Sequence, residues 1–70
     1  MERKLTDGQT VVTLSILSNI HGFRVLSVGE RSGRTYKACG PWRKTKKTAL
    51  KDLAVWVTYQ LLSPGFTEVN

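Results

Sequence analysis

The sequence predicts an α+β fold in which a three-stranded antiparallel sheet packs against one C-terminal helix, in the order βββα. Three observations carry this expectation. Residues 10–39 alternate apolar and polar side chains in short β-branched runs separated by turn residues. Residues 45–62 place apolar side chains at helical spacing. The strand-like runs come first and the helix last, without βαβ alternation, which favours an antiparallel sheet with its helix on one face.

The first strand is read at residues 10–18, TVVTLSILS, where Val12, Leu14 and Ile16 share one face and Thr13 and Ser15 the other. The β-branched run Val11-Val12-Thr13 disfavours a helix there. Ser18-Asn19-Ile20-His21-Gly22 supplies turn residues, and a second strand begins at Phe23 and runs to Gly29. Its pattern is mixed, with Phe23 and Val25 on one face and Leu26 and Val28 on the other. Either a bulge switches the register or both faces are partly covered. Glu30-Arg31-Ser32-Gly33 is a hairpin signal with a glycine for positive φ. The third strand, residues 34–39, sets Tyr36 and Ala38 against Thr35, Lys37 and Cys39, and Gly40-Pro41 ends it. In the helix, Ala49, Leu50, Leu53, Ala54, Val57 and Leu61 form the apolar stripe, Thr45 is the N-cap, and Ser63-Pro64-Gly65 stops it. Residues 1–9 are expected to be a polar N-terminal segment, residues 10–63 the single domain, and residues 64–70 a loose tail.

A chain of 70 residues buries only about 60% of its unfolded surface, so its core is thin. The one cysteine, Cys39, and the one histidine, His21, cannot form an intrachain disulfide or a structural zinc site. The expectation is an intracellular protein held together by apolar burial, without cofactor or metal, and with a homodimer left open. No apolar run approaches the ~18 residues needed to span a bilayer. The cations sit at one helix end rather than along an amphipathic polar face, so a peripheral-membrane role is the weaker rival and no membrane partner is expected. The five acids are scattered at positions 2, 7, 30, 52 and 68, which suggests no carboxylate pair and no enzyme.

Charge is the informative feature. The chain carries +6, yet Arg31, Arg34, Lys37, Arg43, Lys44, Lys46, Lys47 and Lys51 fall in one window that contains no acid. A single-sign block costs self-repulsion and needs a polyanion to be favourable, whereas solubility alone favours interspersed signs. Lys46 and Lys47 also fall in the first helical turn, where cations oppose the macrodipole by a few tenths to ~1 kcal/mol each. Placing them there makes sense when an anion occupies the helix end, because the unpaired N–H groups already attract phosphate.

Thr45-Lys46-Lys47-Thr48-Ala49 followed by Leu53-Ala54 resembles the second helix of the double-stranded-RNA-binding domain, in a form that lacks that family's first helix. The spacing from Phe23-Arg24-Val25 through Tyr36-Lys37-Ala38 is similar to that of the family's second and third strands. The resemblance implies that Lys46 and Lys47 clamp phosphates across the major groove, and that His21 lies in the loop that probes the minor groove. Leu50 stands where the family has a third cation, with Lys51 beside it. The βββα order also resembles the amino-terminal arm-binding domain of phage-type tyrosine recombinases. That likeness implies a sheet face bearing Arg24, Thr35 and Lys37 against DNA.

The functional expectation is therefore non-catalytic binding of duplex nucleic acid, double-stranded RNA ahead of DNA. Arg43, Lys44, Lys46, Lys47 and Lys51 form the expected clamp, extended by Arg31, Arg34, Lys37 and His21. Neutralising four to six phosphates implies a log–log salt slope of about −4 to −5. A dimeric module that docks an acidic protein partner is the alternative class.

Overall fold

The alternation in residues 10–39 builds the centre of a sheet to which both ends of the chain add a strand. The computed structural model describes residues 2–69; Met1 and Asn70, the outer ends of the expected polar segment and tail, lie outside the described residues. In chain order the elements are β1 (Glu2–Thr6), β2 (Thr10–Asn19), β3 (Gly22–Arg31), β4 (Arg34–Cys39), α1 (Lys46–Leu62) and β5 (Thr67–Val69). The sheet is five-stranded, ordered β4-β3-β2-β1-β5, and every pairing is antiparallel. The α+β class and the single helix packed on the sheet follow the sequence expectation. The three-stranded sheet does not: the polar N-terminal segment is β1, and the supposedly loose tail contributes β5. Both are held by pairing, with Leu5 opposite Val12 on one side and Glu68 on the other. Arg3 adds an ion pair to Glu68, Nε donating to Oε2 at 2.8 Å, and this hydrogen bond holds the Glu68 carboxyl below its ordinary range.

β2 and β3 pair residue for residue from Asn19↔Gly22 to Thr10↔Arg31, so no bulge interrupts β3. Its mixed pattern has the other explanation, apolar residues on both faces. Directly opposed residues share a face, so Leu5, Val12, Leu14, Ile16 and Val25 form the helix-facing layer. Leu26 and Val28 point to the face that no helix covers. The core is Leu5, Val12, Leu14, Val25, Leu53 and Val57, with Ile16, Leu50, Trp56 and Phe66 packed around it. Full burial of such a side chain contributes about 1.5–3 kcal/mol, so a handful of residues carries the fold. Helix α1 lies over β3, β2 and β1, while all six residues of β4 are exposed.

Turn chemistry fixes the ends. Asp7 Oδ1 accepts from the N–H groups of Gln9 and Thr10 at 2.9 and 2.7 Å, closing the β1–β2 turn. The Thr10 bond, then the Gln9 bond, hold the Asp7 carboxyl below its ordinary range. Ser32 and Gly33 both take positive φ, 52° and 78°, which matches the twist that a two-residue hairpin requires. Thr45 caps α1 from an extended conformation, its Oγ1 accepting from the Thr48 N–H at 3.3 Å.

Candidate nucleic-acid interface

After β4 the chain does not leave the sheet. Gly40 N–H donates to the Val25 carbonyl at 2.9 Å, and Phe23 and Arg43 exchange backbone hydrogen bonds at 2.8 and 2.6 Å. Between the Leu26↔Cys39 pair and the Phe23↔Arg43 bridge, β3 supplies Arg24 and Val25 while the loop supplies Gly40, Pro41 and Trp42. The loop is a bulged continuation of the edge strand, where a proline removes no ladder bond. It delivers the start of α1 to the β2–β3 turn, so two segments some 25 residues apart in sequence meet at one end of the sheet.

Gly22 is the contact point. Its φ is +118°, and a Cβ there would stand 2.1 Å from the Arg43 carbonyl oxygen. Beside it, Trp42 is flanked by His21, at a centroid separation of 5.8 Å and a tilt of 50°, and by the Arg24 guanidinium, 4.6 Å from the ring centroid. Arg24 Nε also donates to the Gly40 carbonyl at 2.9 Å. Arg24 is thus fixed by a cation–π contact and a backbone acceptor. Ile20, at the tip of the turn, is 96% exposed.

The eight-cation window divides on folding. Lys44, Lys46 and Lys47 are exposed around the helix start and make no ion pair among the described residues. Lys51 is exposed too, one turn beyond Lys47. Arg43 is engaged instead: its Nε donates to Asp52 Oδ2 at 2.7 Å and its Nη2 to Oδ1 at 3.3 Å. That hydrogen bond and the carboxylate's charge raise the Arg43 pKa further. Arg31 and Arg34 close the β3–β4 hairpin at the opposite end, roughly nine strand residues or about 30 Å from Gly22. There Arg31 donates to Gln9 Oε1 at 2.7 Å. Lys37 sits midway along the helix-free face opposite Val28. Arg31, Arg34 and Lys37 therefore do not extend a continuous clamp from the helix start.

Sequence reasoning underrated Arg24, Trp42 and Asp52. Arg24 lies outside the acid-free window, and Asp52 lies one residue beyond its end, so a window of like charge hides both. Asp52→Asn is expected to release Arg43 for phosphate and to steepen the salt dependence of binding by about one unit of log–log slope. Titration of a labelled duplex at several salt concentrations checks this, and an unchanged slope places Arg43 outside the interface.

Among the described residues no group of three or more His, Cys, Asp or Glu could hold a metal ion, and Cys39 is a free exposed thiol. Among the described residues no helix is long and apolar enough to cross a membrane. Comparison with family models, curated proteins and solved structures finds no match, so the functional reading rests on the geometry of this end of the molecule.

Proposed function

We propose that the chain is a non-catalytic binding module for duplex nucleic acid, double-stranded RNA in the first place, engaging phosphates from its helix start. The observation that carries this reading is the meeting of uncompensated Lys44, Lys46 and Lys47 with the His21-bearing turn at one end of the sheet. A helix start offers free N–H groups and partial positive charge. No acid sits in its first turn, where stability alone would select one. The turn projects from the same end, so a groove could be probed while the lysines hold the flanking phosphates.

The three free lysines at the helix start itself, with Lys51 a turn further along α1, imply a shallower salt dependence than the whole basic window suggested. Binding of a labelled RNA duplex should fall with salt at a log–log slope of about −3, and matched RNA should outcompete DNA. A slope near zero for both duplexes overturns the proposal.

One observation favours a second reading. The register aligns Arg24, Thr35 and Lys37 on the helix-free face, which suits a sheet laid in a DNA groove. That face is apolar in the middle, with Leu26 and Val28 flanked by Thr13 and Ser15, and Arg24 is already tied to Gly40 and Trp42. It therefore offers fewer free donors than the helix end. Stronger loss of binding from Lys37→Ala than from a Lys46 and Lys47 double replacement would favour the sheet.

A further inference from the structure

The outer side of α1 carries a stripe that the fold leaves uncovered. Lys51, Val55, Tyr59 and Leu62 follow one another at spacings of four, four and three residues, so they form one line. Val55, Tyr59 and Leu62 are 52, 70 and 73% exposed, and with Ala54 and Thr58 they line a shallow groove. Tyr36 is a second exposed apolar side chain, on the sheet. Its pairing with Gly29, itself opposite Val12, puts it on the helix-facing side, yet it is 58% exposed. A single helix about 10 Å across spans roughly two strands spaced about 4.8 Å apart, so β4 is left bare.

The whole molecule shows the same deficit. Its accessible surface is 4951 Å², where a monomeric protein of 7.9 kDa exposes about 4,400 Å². The excess, about 550 Å² on that scaling, is most of the ~800 Å² per copy that a stable pair buries. The radius of gyration is 12.2 Å, against about 11 Å for a compact chain of this length.

We propose that this stripe docks a second copy of the chain, with the two α1 helices antiparallel about a two-fold axis level with Val57. The stripe's own ends select that occupant. At its N-terminal end is the Lys51 ammonium. At its C-terminal end are the carbonyls of a last turn that contains no basic residue, together with Asp7. An added Cβ on Gly65 would lie 3.6 Å from the Asp7 Cβ, so Asp7 borders this end. In the antiparallel pair, Lys51 comes level with Ser63 of the second copy, about 9 Å from the axis at 1.5 Å per residue. Helix axes 8–10 Å apart, roughly the usual spacing, bring its ammonium to those carbonyls and to Asp7. The two-fold repeats the contact, and between the ends Val55 of each copy comes level with Tyr59 of the other, with Leu62 flanking them. A parallel pair would instead set Lys51 against Lys51.

The inference does not rest on what the basic end binds: of the expected clamp the stripe uses Lys51 alone, and its exchange is read without nucleic acid. Sedimentation equilibrium of the full chain, from micromolar to sub-millimolar concentration, tests it without any nucleic acid. The expected result is a monomer–dimer equilibrium. Tyr59→Glu and, separately, Val55→Lys should give monomers with unchanged far-UV circular dichroism, because both positions are exposed. Lys51→Glu should raise the dimer Kd roughly tenfold or more. Asp7→Asn should raise it too while keeping the turn, since an amide oxygen still accepts from Gln9 and Thr10. A monomeric wild-type chain across that range overturns the proposal. So does a dimer that survives both Tyr59→Glu and Val55→Lys, or a Kd that Lys51→Glu leaves unchanged.

Discussion

Gly22→Ala is expected to remove more than half of the folding stability. The Cβ it introduces would stand 2.1 Å from the Arg43 carbonyl oxygen and 3.2 Å from the carbonyl carbon, and both atoms belong to backbone. That oxygen accepts from Phe23 at 2.8 Å, so retreat breaks the bridge that joins β3 to the helix start. The φ of +118° adds strain of order 1–3 kcal/mol for any residue with a side chain. Together these effects exceed about 3 kcal/mol, in a domain whose whole stability is on the order of 5 kcal/mol. Thermal unfolding followed by circular dichroism should show a Tm loss of more than about 12 °C. Gly33 is the control. It also has positive φ, 78°, but nothing lies within 4 Å of an added Cβ, so Gly33→Asn should cost less than about 1 kcal/mol. Similar Tm values for the two variants would show that the Gly22–Arg43 contact is not what fixes the helix start.

That contact also marks the limit of what the sequence alone discloses. β2, β3, β4 and α1 are legible because each has several apolar residues at its own period. β1 is not, since Glu2-Arg3-Lys4-Leu5-Thr6 has a single apolar residue and an alternation needs at least two. Leu5 becomes the fully buried neighbour of Val12 only because β2 offers its edge. The same holds for Thr67–Val69, which is a strand by virtue of pairing with β1. Propensity has little to say where tertiary pairing decides.

The site was legible to a similar degree. Local spacing was enough for Lys46 and Lys47 to be read at a helix start, and the Thr45 cap bears this out. Distances across the fold were not. The β3–β4 hairpin carries Arg31 and Arg34 to the far end, although in sequence they adjoin Lys37. Arg43 meets Asp52 across a loop-to-helix corner, a contact without helical or strand periodicity. The Trp42 contacts with His21 and Arg24 require the bulge at Gly40–Trp42, which no local pattern announces.

Replacing Lys46 and Lys47 together by Glu separates a binding surface from a solvated basic face, because stability and affinity are expected to move in opposite directions. Both lysines stand in the first turn of α1, where no acid is present and where positive charge opposes the macrodipole. Each exchange to Glu removes an unfavourable charge and adds a favourable one, so the double variant should gain about 0.5–2 kcal/mol of stability. Neither lysine takes part in a side-chain hydrogen bond or ion pair among the described residues, and the Thr45–Thr48 cap that starts the helix is untouched. If the helix start grips phosphate, duplex binding should collapse on every sequence alike. The milder Lys46→Ala and Lys47→Ala pair should lower the log–log salt slope by about two units. Chemical denaturation and a duplex titration on the same protein read both quantities. A gain in stability with unaltered binding would make the lysines a solvated face and end the nucleic-acid reading of this helix. A gain in stability with lost binding would mean that the wild-type sequence keeps an unfavourable charge at its helix start because the ligand supplies the compensating one.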